Sequence, residues 1–155
     1  MKTYKVTNAH YLATIAPRIQ QLRDKLDIPS ITYEGLFTFF ATSIQFGAGN
    51  SEFVIVFDEG KPTAFAHWYA LGLPHSGRVF CDYVYSWGKK HDALEMLYKE
   101  FVEFGKKKRA VYYGGCAINE KTLSIFKKTS EDLGFELNEH KAKMFDMVKK
   151  EEDNG

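Results

Sequence analysis

The chain has 155 residues, 45% hydrophobic and 15% aromatic, which is apolar material for one core and a single domain of ordinary size. Lys and Arg total 21 against 20 Asp and Glu, so no long-range field steers the protein to nucleic acid or to a membrane surface. The N-terminus lacks an apolar signal core, and no uncharged apolar run reaches the roughly 18 residues of a spanning helix. Cys81 and Cys116 fit neither a disulfide framework nor a metal-ligand spacing. The expectation is a reduced, cytoplasmic protein without a metal, with residues 1–150 as one domain and 151–155 as a polar tail.

A short strand at Thr3–Val6 precedes Thr7 and Asn8, either of which can cap a helical pattern over Ala9–Leu26 carried by Leu12, Ile15, Ile19, Leu22 and Leu26. Pro17 inside that pattern predicts a kink or a break into two pieces. A second helix is expected over Tyr33–Phe46, ending at Gly47 in a left-handed cap. Glu52–Phe57, the turn Asp58–Lys61 and the strand Thr63–Leu71, with alternating large and small side chains, read as a hairpin. After Leu73–Gly77 turns the chain, Arg78–Tyr85 is the third strand of this meander.

The amphipathic segment Ala93–Lys108 presents Leu94, Leu97, Phe101 and Phe104 on one face, and a strand interrupted by a glycine pair follows at Ala110–Ala117. Asn119 caps a helix reaching about Thr129, with Leu123 and Phe126 inward and a glycine ending at Gly134. Two further short strands, Phe135–Leu137 and Lys143–Val148, complete an α+β pattern. The cations at Lys106–Arg109 complement the dipole at the end of their helix.

The stretch from Phe80 to Asp92 carries the most chemistry. A strand breaks at the basic, glycine-containing loop Trp87-Gly-Lys-Lys-His-Asp92 and leads into a helix, the makings of an anion site. In this order of elements the chain resembles the GNAT superfamily of acyl-CoA N-acyltransferases over nearly its whole length. The resemblance implies a mixed, mostly antiparallel twisted sheet with helices on both faces. It also implies acetyl transfer from acetyl-CoA to a small-molecule or protein amine by direct attack, without a metal.

Residue by residue, the resemblance gives Val84, Tyr85 and Ser86 to the pantetheine arm and Trp87, Gly88, Lys89, Lys90, His91 and Asp92 to the pyrophosphate. The family's loop has Arg or Gln where Trp87 stands and small residues where Lys90 and Asp92 stand, and Asp92 also reads as a plain helix N-cap. On the later helix Asn119, Ile125 and Gly134-Phe135 match the family pattern. Phe126 occupies the position of the tyrosine that protonates the departing thiolate, which leaves Tyr112, Tyr113 or water for that duty.

The base implied by the chemistry is Asp82, or His67 on the preceding strand, because a carboxylate in a central strand is costly to bury without a partner or a role. Strand alternation gives Asp82 the orientation opposite to both Cys81 and Tyr83. The Phe-rich segment Phe37–Phe46 lies where the family builds its acceptor wall. The eroded loop and the missing tyrosine also fit a GNAT-fold module that has lost catalysis, as in short phage-encoded chains of similar appearance. A nucleic-acid role would require a contiguous basic face.

Overall fold

The computed structural model describes residues 1–72, 77–88, 91–136 and 149–150. Strands β1 (Lys2–Lys5), β2 (Ser51–Asp58), β3 (Lys61–Ala70), β4 (Arg78–Ser86) and β5 (Tyr112–Gly115) lie side by side in sequence order. The first three pairings are antiparallel, β2–β3 and β3–β4 through direct connections and β1–β2 across the intervening helices, whereas β4 and β5 run parallel because α3 (Asp92–Lys107) crosses over between them. The other helices are α1 (Ala16–Leu26), α2 (Tyr33–Phe46) and α4 (Glu120–Asp132).

Alternation along β2 and β3 divides the side chains between two cores. Phe53, Ile55 and Phe65 face α1 and α2, where they meet Ile19, Leu22, Leu36 and Phe40. Val54, Val56, Ala64, Ala66 and Trp68 face α3, where they meet Leu97, Phe101 and Phe104. Trp68, Phe40, Phe65 and Phe101 have no exposed surface. A side chain buried in this way contributes about 1.5–3 kcal/mol. β3 thus gives Phe65 to the α1–α2 face and Ala64, Ala66 and Trp68 to the α3 face, and the sheet is covered on both sides.

Pro17 does break the first helical segment. Ala9–Ile15 is a 3₁₀ helix capped by Asn8, and α1 begins with the proline in its first turn, where a missing N–H costs nothing. Gly47 is not left-handed as expected. It keeps φ −65, while Ala48 and Gly49 take positive φ and turn the chain. Gly47 is required instead for space, since a Cβ there would strike Ser51 Oγ and the Ser43 carbonyl.

The strand expected over Ala110–Ala117 is shorter, Tyr112–Gly115. On α4 the inward face is Thr122, Ile125, Phe126 and Thr129, with Leu123 only half buried. That helix runs to Asp132, past the expected end, and Gly134 follows with φ +84. Lys143–Val148 and the end of Phe135–Leu137 lie outside the described residues.

The contact between α3 and β5 gives a direct test of packing. Gly105 is fully enclosed within α3, and a Cβ added there would fall on the Tyr113 ring. Alanine at this helical position gains about 1 kcal/mol of propensity, yet the overpacking costs about 1–3 kcal/mol. Gly105→Ala should therefore lower the urea midpoint in the wild-type background and raise it in a Tyr113→Ala background. Parallel shifts in both backgrounds would show that the ring does not limit the approach.

Candidate functional site

The geometry of the site follows from a one-residue irregularity in β4. Against β3, Tyr83 pairs with His67 but Cys81 pairs with Trp68, leaving Asp82 as an extra residue without a partner. A bulge of this kind puts two consecutive side chains on one face. Asp82 is opposite to Cys81, as alternation predicts, but it shares the α2 face with Tyr83, which alternation does not predict. Cys81 and Val84 point to the α3 core, while the Tyr83 ring meets Phe39 and Phe40 of α2.

The bulge brings Asp82 onto His67. His67 Nδ1 lies 2.6 Å from Asp82 Oδ1, and its Nε2 lies 2.7 Å from Ser43 Oγ on α2. Ser43 Oγ is in turn 2.6 Å from Ser51 Oγ, and Ser51 Oγ reaches the Ser43 carbonyl at 3.4 Å. The His67 side chain is 1% exposed and that of Asp82 15% exposed. The carboxylate therefore faces outward and the imidazole stands behind it.

The hydrogen-bonding logic of this chain is reversible. A carboxylate only accepts, so Nδ1 carries a proton. With neutral imidazole, Nε2 accepts from Ser43 and Ser43 accepts from Ser51. With imidazolium, Nε2 donates to Ser43, Ser43 to Ser51, and Ser51 to the Ser43 carbonyl. Every polar atom stays satisfied in either state, so the pair can accept a proton without leaving a buried group unpaired.

The same connectivity, Asp to Nδ1 and Nε2 to Ser, is that of a hydrolase triad, but it lacks the rest of one. Ser43 Oγ is held between His67 and Ser51, and its helix turn directs the neighbouring Gly47 N–H to the Ser43 carbonyl rather than to an oxyanion. Neither serine stands out in the sequence. The available signal was a polar residue within the apolar run of α2.

Beside Asp82 the sheet forks. β5 pairs with β4 only from Arg78 to Cys81, and the last bond across the pair is Cys116 N–H to the Cys81 carbonyl at 3.1 Å. Further along, the Trp87 N–H bonds back to the Thr63 carbonyl on β3. By alternation, Val84 and Ser86 therefore turn their backbone groups away from β3, into the open side of the fork. The Val84 side chain is buried in the α3 core and that of Tyr85 in the α1–α2 core, with the Tyr85 hydroxyl donating to Gln21. Trp87 is also structural: its indole N–H donates to the Pro62 carbonyl, and Arg18 lies 5.0 Å over its ring.

Gly88 is exposed, and Lys89 and Lys90 lie outside the described residues. The expected N-cap at Asp92 is corrected by the structure. His91 is the cap and Asp92 the first helical residue, and the His91 side chain makes no capping hydrogen bond. Asp92 and Glu95 nonetheless place two carboxylates in that first turn. An open cleft of about 510 Å³ borders Ser86, Trp87 and Gly88 against Gln21, Asp24 and Lys25 of α1.

On α4 the Asn119 side chain accepts the Thr122 N–H at 2.8 Å, so its oxygen serves the cap. Phe126 packs against Tyr98 of α3 at 4.6 Å between ring centroids. Burial, and then the nearby Cys81, push the Tyr98 hydroxyl far above its usual range, so it stays protonated. Tyr69 and Tyr83 are raised first by burial and then by the Asp82 charge. The same two causes raise both thiols, and neither cysteine is an activated nucleophile.

No protein-family model and no curated protein matches the sequence. Solved structures do match the fold along almost the whole chain. A probable acetyltransferase superposes with a TM-score of 0.70 at 13% identity, over 97% of this chain and 100% of its own. An aminoglycoside N-acetyltransferase in complex with CoA gives 0.66 at 18% identity, over 95% of each chain. A ribosomal-protein-alanine N-acetyltransferase from Brucella melitensis biovar Abortus 2308 gives 0.66 at 12%, over 94% and 99%. The chain thus has the fold of the GNAT acetyltransferases.

The raised tyrosines give the site a pH signature. Unfolded tyrosines ionise near pH 10, whereas Tyr69, Tyr83, Tyr85 and Tyr98 hold their protons above that value when folded. The unfolded chain therefore releases protons first, and stability should fall as pH rises past 10. Urea midpoints measured across this range should decline while native phenolate absorbance lags behind that of the unfolded chain. Coincident tyrosine titrations in the two states would contradict the burial.

Proposed function

We propose that the protein is an N-acyltransferase that moves an acyl group, acetyl in the first instance, from its CoA thioester to an amine. The observation that carries this reading is the Asp82 bulge, which aims a carboxylate backed by a buried histidine at the point where β4 and β5 separate. Such a fork can take an extended amide arm, because Val84 and Ser86 offer backbone donors and acceptors along its open edge. The CoA bound by the aminoglycoside N-acetyltransferase of the same fold supports that choice of ligand.

In this scheme the pyrophosphate lies at Gly88–Asp92, against the N–H groups that open α3. The amine reaches Asp82 from the α2 face as an ammonium and loses its proton to the Asp82–His67 pair. The free amine attacks the thioester carbonyl, a C–N bond forms, and the C–S bond breaks. The leaving thiolate takes up the second proton that the attacking nitrogen releases, so amide and free thiol form without a side-chain acid at the position of Phe126.

A second reading, a GNAT-fold interaction module without catalysis, is favoured by one observation. Asp92 and Glu95 set two negative charges where a pyrophosphate would bind.

Kinetics and binding separate the roles. Asp82→Asn should lower the rate constant for acetyl transfer by about 10²–10⁴-fold, the range of a lost general base, with acetyl-CoA affinity changed less than threefold; equal losses in both would remove Asp82 from the chemistry. Tyr98→Phe should leave both the transfer rate and acetyl-CoA binding close to wild type, because burial holds the hydroxyl proton, and a large loss of rate with binding intact would make Tyr98 the acid. Asp92→Gly should tighten CoA binding in titration calorimetry, and unchanged or weaker binding would displace the pyrophosphate from this loop.

A further inference from the structure

From the arrangement of Arg78, Tyr69, Phe80 and Asp82 we propose that the acceptor is a zwitterion, with its ammonium at Asp82 and an anionic end at Arg78. This inference rests on the transfer reading and specifies the class of amine that the site takes. Arg78, Phe80 and Asp82 alternate onto the α2 face of β4, and Tyr69 of β3 is paired with Phe80 between the two charges. At about 3.3 Å per residue the α-carbons of Arg78 and Asp82 are roughly 13 Å apart, and the aromatic pair forms the floor between them.

Burial first and then the Asp82 charge raise the Tyr69 hydroxyl, while Arg78 lowers it, so both charges are felt on that floor. The Arg78 guanidinium lies 5.7 Å over the Phe80 ring, and a side chain on Gly114 would collide with it, so Gly114 leaves it room. Among the described residues no carboxylate lies within ion-pairing distance of Arg78. A half-buried guanidinium stacked on an aromatic ring, with no carboxylate among the described residues at its fork, is suited to a carboxylate or phosphate oxygen pair.

The ends of the strand also suit the transfer geometry. The fork opens beyond Cys81, towards Gly88, whereas Arg78 stands at the opposite end of β4. Donor and acceptor can therefore approach Asp82 from opposite directions, and the anionic end of the acceptor does not meet the thioester. The ligand class is an amino acid whose ammonium and carboxylate are separated by an apolar stem.

The test is calorimetric titration of the full chain, without acetyl-CoA, with the ω-amino acids from 4-aminobutanoate to 8-aminooctanoate. Each is compared with the alkylammonium and the alkanoate of equal length. The best ω-amino acid should bind at least tenfold tighter than either one-ended analogue. Arg78→Gln should reduce it to the level of the alkylammonium and Asp82→Asn to that of the alkanoate, with circular dichroism confirming that both variants fold.

Equal binding of the zwitterion and the alkylammonium to the wild type, no effect of Arg78→Gln, or no binding by any length would overturn the proposal. Acetyl-CoA is titrated separately. Acetyl-CoA binding with no zwitterion preference removes only this inference, and zwitterion binding without acetyl-CoA binding removes only the transfer reading.

Discussion

The arrangement of the candidate site depends on one extra residue in β4. If β4 kept strict alternation, Asp82 would share a face with Val84, in the α3 core, or Tyr83 would turn away from α2. The bulge avoids both by letting Asp82 and Tyr83 share the α2 face, while Cys81 and Val84 stay in the apolar layer. It also adds local twist at the residue where β5 stops pairing. Register, carboxylate placement and the fork between the strands are thus parts of one backbone feature.

Burial then determines what the carboxylate can do. An ionised group in a strand interior needs a partner, and His67 provides it from the neighbouring strand. The imidazole is itself buried and needs partners at both nitrogens, which draws in Ser43 and Ser51 across 24 and then 8 residues of sequence. Because the serine hydroxyls can reverse their donor roles, the network tolerates a change of protonation. A rigid pair with fixed donors would pay for that change with an unsatisfied atom.

Much of the fold was legible because it rests on local rules. The apolar spacing of Leu94, Leu97 and Phe101, the break at Pro17 and the Asn119 cap each follow from residue chemistry within a few positions. The bulge was less legible, because no Gly or Pro marks it. Its trace is a change of period, with Val79 and Cys81 two apart and then Val84 three further on. The Ser43 contact joins elements through the tertiary fold, and nothing local to Ser43 or His67 announces it. The helix cap at His91 instead of Asp92 shows how little a capping preference decides when two polar residues stand together. Arg78 was read only as the beginning of a strand, since its significance lies in what stands across from it on β3.

The central claim is that the fork beside Asp82 receives the arm of an acyl-CoA. The most direct measurement is an amide chemical-shift map of the isotopically labelled protein titrated with acetyl-CoA. The account predicts saturable shifts at micromolar ligand, concentrated on Val84, Ser86 and Gly88 and on Cys116–Ile118 across the gap, with the β1–β2 hairpin unmoved. Absence of shifts up to millimolar ligand, or shifts confined to another surface, would contradict it.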